Sequence, residues 1–149
     1  MRIYIDTSVV GGFFDKEFSD ATGRFFEKVE RGELILVVSD LLESELVEAP
    51  ARVRDHLTRY GSNVVESARL SPEAVSLANE YIEKRVVGAT SVADCQHIAI
   101  ATIAKVDVLV SWNFKHIVNL KRIRGYNEVN VKSGYSALEI RTPEEVLDL

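Results

Sequence analysis

Cysteine is all but missing from this sequence. Cys95 is the only one, so no disulfide forms within the chain and no cysteine-based zinc cluster can be assembled. Histidine is nearly as sparse. His56, His97 and His116 are the whole complement, and their scatter lacks the close spacing of a zinc site. No apolar run approaches the roughly 20 residues that a membrane helix needs, so no membrane association is expected. The opening MRIYIDTSVV carries one basic residue and then meets an acid at Asp6, unlike a secretory signal. Repeats, low-complexity tracts and linker-like stretches are absent as well. These absences together point to a cytoplasmic protein and to one domain over residues 1–149.

Positive charge is also in short supply, with 18 Lys and Arg against 23 Asp and Glu and a net charge of −5. Non-specific nucleic-acid binding ordinarily leans on cations that neutralise phosphates, so the balance counts against a broadly basic binder. It does not exclude nucleic acid. Bound divalent cations offset a local acidic cluster, and a basic stretch occurs late, at Lys115, His116, Lys121, Arg122 and Arg124.

What is present is ordinary for a globular protein: 46% hydrophobic and 28% charged residues over 149 positions, enough to bury a core. Strand and helix signals alternate almost from the start. Residues 2–5 read as a short strand ending at Asp6. Residues 20–31 read as an amphipathic helix, with Phe25, Phe26 and Val29 on one face and Gly32 as its stop. Residues 34–38 form a continuous apolar run, the mark of a strand buried on both faces of a parallel sheet. Helices are expected over 40–49 and from Pro50 to about residue 60, with a third strand near 63–66. Ser71-Pro72-Glu73 is a helix start with a serine cap and proline at the first position, running to about residue 86. Residues 92–105 read as an apolar, buried helix, and 108–110 as a buried strand. Residues 127–132 and 137–140 read as strands, and Thr142-Pro143-Glu144-Glu145 opens a last helix. Such alternation implies a parallel sheet covered by helices on both faces.

In an open parallel sheet, ligands bind beyond the carboxyl ends of the strands. Asp6 stands there, after the first strand, with Thr7 and Ser8 beside it to orient its carboxylate; capping the next helix is its structural alternative. Glu45 falls on the same helical stripe as Leu41, Leu42, Leu46 and Ala49, and an acid on a core-facing stripe requires a partner, a metal or an escape to solvent. Glu43 is spaced from Asp40 as in a capping box. Asp94 lies in the first turn of the apolar helix, where Ser91-Val92-Ala93-Asp94 also fits a capping box. After the strand at 108–110, Ser111-Trp112-Asn113-Phe114-Lys115-His116 crosses the same edge. There Asn113 and His116 each offer a ligand to a metal, a metal-bound water or a phosphate.

The blocks IYIDTSVV, SDLLESELVE and SVADCQHIAIATIAKVDVLVSWNFKHIVN, in that order and spacing, resemble those of PIN domains, in particular the VapC-like toxins of prokaryotic toxin–antitoxin pairs. The resemblance covers residues 3–119. It implies a PIN-like three-layer α/β/α fold with a central, mainly parallel sheet, and a Mg²⁺- or Mn²⁺-dependent endoribonuclease. Position by position, Asp6 matches the first-strand acid, Glu45 the helix acid and Asp94 the acid opening the later helix. The fourth acid of the family belongs in the SWNFKH block, where this chain has Asn113 and His116. Asp6, Glu45 and Asp94 are then the metal set, Asn113 joins them in catalysis, and Thr7, Ser8 and His116 support them. An RNA substrate, a cognate antitoxin and a homodimer are implied by the same resemblance.

Other residues have plainer readings. Cys95 is expected to be a packing residue and His97 a structural histidine. Trp112 either stacks on a nucleobase or packs over the sheet edge. Lys115, Lys121, Arg122 and Arg124 either contact RNA backbone or form a solvated basic face. Phe13, Phe14, Phe25 and Phe26 are expected in the core, or in a patch used for self-association or antitoxin docking. Two further functions compete. A haloacid-dehalogenase-like phosphatase needs a second Asp two residues after the first, and Ser8 stands in that place. A non-catalytic PIN-like module that binds RNA or protein is consistent with the missing fourth carboxylate.

Overall fold

A computed structural model describes residues 1–149. Five strands form one sheet: β1 (Arg2–Ile5), β2 (Ile35–Ser39), β3 (Val65–Ala68), β4 (Val108–Val110) and β5 (Ile140–Arg141). Every pairing is parallel, in the order β3-β2-β1-β4-β5. The connections carry seven helices: α1 (Thr7–Gly12), α2 (Ser19–Glu30), α3 (Asp40–Leu46), α4 (Ala51–Arg54), α5 (Pro72–Glu83), α6 (Val92–Ile103) and α7 (Leu120–Lys132). None is long and apolar enough to cross a membrane.

The central strands are apolar apart from Arg2 and Ser39 at their ends, because both faces of the sheet are covered. Alternation then assigns each side chain to a layer. Ile3, Ile5, Leu36, Val38, Val108 and Val110 pack with Phe25, Phe26 and Val29 of α2 and Leu42 and Leu46 of α3. Tyr4, Val37 and Leu109 point the other way, into a core built with α5, α6 and α7. Burying each Leu, Ile or Phe fully contributes about 1.5–3 kcal/mol, so the two cores together hold the three layers. The expected three-layer α/β/α fold is present, and its sheet is parallel throughout.

Strand order matters most for function. From β1 the chain winds to β2 and β3 on one side, then crosses to β4 and β5 on the other. The reversal leaves a crevice at the carboxyl ends of β1 and β4, the place where sheets of this kind bind ligands. Ile5 is registered against Val110, so the residues that follow them, Asp6 and Ser111, emerge side by side.

Several local expectations are corrected. Residues 127–132 are not a strand but the end of α7. Asn-Glu-Val-Asn-Val-Lys alternates by twos, yet the buried positions are Tyr126, Val129 and Asn130, spaced for one helical face. Asn130 settles the matter: it accepts from Tyr81 Oη at 2.5 Å and donates to Thr102 Oγ1 at 3.3 Å, tying α7 to α5 and α6. The capping box at Asp40 and Glu43 is replaced by Ser39, whose Oγ accepts from the Leu42 amide, while Asp40 Oδ1 accepts from the amide of Leu70. Ser91 makes no side-chain cap, so the box with Asp94 does not form either. The helix expected from Pro50 is broken into α4 and a 3₁₀ turn over His56–Arg59, and the last helix is a 3₁₀ turn over Glu145–Asp148. The last strand begins only at Ile140. Ser71 caps α5 as expected, accepting from the Ala74 amide at 3.1 Å.

His56 is buried against Phe13, Phe26 and Tyr60, with ring centroids 4.2, 4.6 and 5.4 Å away. Its Nε2 pairs with Tyr60 Oη at 3.0 Å and its Nδ1 has no partner. Burial, reinforced by the charge of Arg59, pulls its pKa down from 6.5 to about 4. As pH falls below 6.5 the unfolded chain takes up a proton that the folded ring refuses until about 4. Stability contributed by the neutral ring is therefore lost between those two values, by up to roughly 3 kcal/mol. Denaturant melts across this window are expected to show wild type losing stability relative to His56→Phe as pH falls. A constant difference between them would refute the assignment.

Candidate active site

Each predicted acid sits on a different element, and the fold brings them to one edge. Asp6 follows β1 and is almost wholly buried, with 4% of its surface exposed. It does not cap α1 with its side chain. Its carboxylate instead accepts from Ser8 Oγ on Oδ1 and from Ser111 Oγ on Oδ2, both at 2.6 Å. The two hydroxyls belong to the loops after β1 and β4, so the crevice of the sheet closes around this one carboxylate. Ser8 Oγ also accepts from the Trp112 amide at 2.9 Å, and Ser111 Oγ accepts from the Asn113 amide at 2.9 Å. Burial drives the Asp6 carboxyl above its usual range, against the two serine donors that favour its ionised form.

Glu45 is half-buried on α3 and is held from two sides. Thr7 Oγ1 donates to its Oε1 at 2.7 Å and His97 Nε2 lies 2.5 Å from the same oxygen. Burial alone would raise this carboxyl; the hydrogen bonds from His97 and Thr7, with the charge on His97, outweigh it and hold the pKa below the usual value. Behind His97, its Nδ1 meets Tyr4 Oη at 2.6 Å, and Tyr4 Oη meets Ser39 Oγ at 2.8 Å. With the ring neutral, Ser39 donates to Tyr4, Tyr4 to Nδ1, and Nε2 to Glu45. Thr7 thus serves Glu45 and not Asp6, which is oriented by Ser8 and Ser111.

Asp94 lies half-buried in the first turn of α6. Burial raises its carboxyl; the charges of Asp6 and Glu45 push it up further, against the opposing charges of His116 and His97. The three acids therefore lie within electrostatic reach of one another. Asn113 Nδ2 donates to Asp94 Oδ1 at 3.3 Å, and Asn113 Oδ1 accepts from the His116 amide at 2.9 Å. Both ends of the Asn113 amide are engaged, so it orients Asp94 and the loop. His116 keeps a buried Nδ1 without a partner.

No three His, Cys, Asp or Glu side chains converge on one point as a ready-made metal cage. The donor set nevertheless suits a hard, hydrated dication, which takes one or two carboxylates and keeps several waters. Two of the three carboxyls, Asp6 and Asp94, are pushed toward protonation, and a cation relieves that penalty.

Among the other candidates, Trp112 is committed to packing. Its ring stacks on Phe18 at 4.3 Å, and its Nε1 donates to Thr22 Oγ1 at 3.0 Å. Gly12 makes room for it, since a Cβ there would lie 2.7 Å from the indole. The exposed ring of this group is Phe114. Lys115 is exposed in the loop, while Lys121, Arg122 and Arg124 open α7 behind the Asn119 cap. Cys95 is buried and free. Sequence reasoning missed Tyr4, Ser39 and Ser111 and undervalued His97. A tyrosine inside an otherwise aliphatic strand, Ile3-Tyr4-Ile5, was the available signal, because a buried hydroxyl requires partners.

No protein-family model matches the chain, and no curated protein matches it in sequence. Solved structures do share its fold. VapC20 of Mycobacterium tuberculosis, a toxin that cleaves the sarcin–ricin loop, superimposes with a TM-score of 0.58 at 11% identity, covering 91% of this chain and 98% of that one. VapBC2 from Rickettsia felis, solved bound to a DNA fragment from its promoter, gives 0.58 at 14% identity over 95% and 98%. At such identities the likeness is one of fold, a PIN-like α/β/α sandwich.

The burial of Asp6 sets up a stability test. Ser111→Ala leaves Oδ2 of a buried carboxylate without its donor and is expected to cost about 1–3 kcal/mol. Asp6→Asn removes the buried charge and is expected to match or exceed wild-type stability. Chemical denaturation measures both; a neutral Ser111→Ala would show that the seam does not depend on this bond.

Proposed function

We propose that this protein is a divalent-metal-dependent endoribonuclease, acting in the cytoplasm as the toxin of a toxin–antitoxin pair. The observation that carries the proposal is that three acids from separate elements border the β1–β4 edge: Asp6 is bonded to Ser111, Glu45 to Thr7 beside Asp6, and Asp94 to Asn113. Structural acids have no reason to collect there, since each raises the cost of ionising its neighbour. Fold likeness to an RNA-cleaving toxin agrees with it.

Asp6, Asp94 and Glu45 would hold the ion, with Mg²⁺ or Mn²⁺ fitting their oxygen donors. When bound, such an ion supplies Lewis acidity toward a phosphoryl oxygen and acidifies water. The protein's own share is positioning. Ser8 and Ser111 fix both oxygens of Asp6, so this acid meets the ion without reorganising. His97 and Thr7 keep Glu45 ionised and aimed, leaving it able to take a proton from attacking water. Asn113 donates to Asp94 and is itself held by the His116 amide, so the His116 loop supports that acid. The same reading extends to an antitoxin partner and a homodimer. Sedimentation of the purified protein, alone and with the product of a neighbouring gene for a small DNA-binding protein, tests both; a monomer unaffected by that product removes them.

A second reading is a non-catalytic PIN-like module that holds RNA or protein. Asn113 in the fourth position and the lack of three convergent ligands favour it. Incubating structured and unstructured RNAs with Mn²⁺ separates the two. Wild type is expected to cleave, and Asp6→Asn and Asp94→Asn to lose at least about a hundredfold in rate, as loss of several kcal/mol of electrostatic stabilisation requires. Cleavage unaffected by both substitutions would overturn the site; no cleavage and no calorimetric metal binding by wild type would favour the binding module.

A further inference from the structure

A second concave site lies away from the acids. A cleft of about 550 Å³ opens between the end of α5 and one face of α7. Five cations line it: Lys84 and Arg85 on one wall, Lys121, Arg122 and Lys132 on the other, against two acids, Glu80 and Glu128. On a chain whose net charge is −5, this is a local reversal of sign. Glu128 does little to cancel it, because its contact with Lys132 is an exposed i,i+4 pair. Arg122 donates to the Val86 carbonyl, which fixes the guanidinium without neutralising it.

Two backbone features maintain the cleft at some expense to the fold. Gly125 sits mid-helix, where glycine weakens a helix, and an added Cβ would lie 2.8 Å from Val86 Cγ1. The wall carrying Lys84 and Arg85 is thereby pressed onto α7. Arg85 itself terminates α5 with φ of +60°, a left-handed position that favours glycine. A long cation stands where the backbone prefers no side chain at all.

The lining runs along α7 from Lys121 to Ser133, about 18 Å at 1.5 Å per residue, with cations near both ends. Such a track suits a row of phosphates better than one. Its Arg122 end is also joined to the acid site. One turn after Arg122, Tyr126 Oη donates to the His116 carbonyl at 2.8 Å, and the His116 loop carries Asn113 onto Asp94.

We propose that this cleft holds the phosphate backbone of single-stranded RNA where it extends beyond the acid cluster. The phosphate chemistry follows from the cleft; the choice of RNA rests on the nuclease reading. The test measures binding without cleavage, using full-length Asp6→Asn protein, with wild type in chelator as a second background. Anisotropy of a labelled RNA oligonucleotide is followed across a salt series. Arg85→Gly is the informative variant, because glycine suits the left-handed backbone and removes only the cation; Lys132→Gln is its partner on the other wall. Each is expected to weaken binding severalfold and to lower the slope of log affinity against log salt by about 0.7, the value for one phosphate contact on a single strand. Unchanged affinity and slope in the double variant would overturn the cleft, whatever the cleavage result. Cleft-dependent binding by a wild type that never cleaves would keep the cleft and discard the nuclease. Loss of inorganic polyphosphate binding with RNA binding intact would overturn RNA as the occupant.

Discussion

Two hydroxyl–carboxylate hydrogen bonds, from Ser8 and Ser111 to Asp6, are the constraint around which the rest of the site is arranged. The Ser111 bond spans the seam where strand order reverses and exists only because β1 and β4 are adjacent and in register, while the Ser8 bond is local to the turn after β1. A slip of one residue in that pairing would turn Val110 and Ser111 to opposite layers and leave Asp6 buried with one donor. The apolar cores on both faces therefore position the acid as well as stabilising the sheet. The arrangement is costly, since burial opposes ionisation of this carboxylate more strongly than the two serine donors and the charge of His97 favour it. Sites that are destabilised in isolation are commonly those that await a ligand.

The second support comes through the sheet. Tyr4 faces the layer of α5, α6 and α7, yet its hydroxyl reaches Ser39 at the end of β2 and His97 on α6. His97 in turn grips Glu45 on α3, whose Leu42 and Leu46 pack into the opposite core. One chain of hydrogen bonds thus fixes an acid on one layer to a helix on the other. Such a network rigidifies when its members are satisfied, and here each side chain from Ser39 to Thr7 has a partner within it.

Much of this was legible in the sequence, for identifiable reasons. Continuous apolar runs at 34–38 and 108–110 read as strands covered on both faces, and the serine–proline start at Ser71 and Pro72 marked α5. Asp6, Glu45 and Asp94 stood out because each interrupts an apolar pattern or follows a strand. The failures have a shared cause: where tertiary bonding decides, local pattern misleads. Residues 127–132 alternate like a strand, but Asn130 is buried by Tyr81 and Thr102, partners far off in the chain. Ser91 and Asp94 are spaced as a capping box, yet Asp94 lies among Asn113, His116 and the other acids. The basic cleft was half visible, as Lys121 and Arg122; Lys84, Arg85 and Lys132 joined them only through packing.

Asn113 shows how one residue type alters the balance of the whole edge. A carboxylate in its place would add a fourth negative charge next to Asp94, whose ionisation is already opposed by burial and by Asp6 and Glu45. The amide does the reverse, donating to Asp94 while its oxygen anchors the His116 loop. That loop is buttressed by Tyr126 of α7, the helix that forms one wall of the basic cleft. Reduced negative charge at the crevice and concentrated positive charge in the separate cleft act in the same direction on an approaching polyanion, because both lower the repulsion it meets. An acidic chain can in this way present a path of favourable potential to phosphate without an overall basic surface.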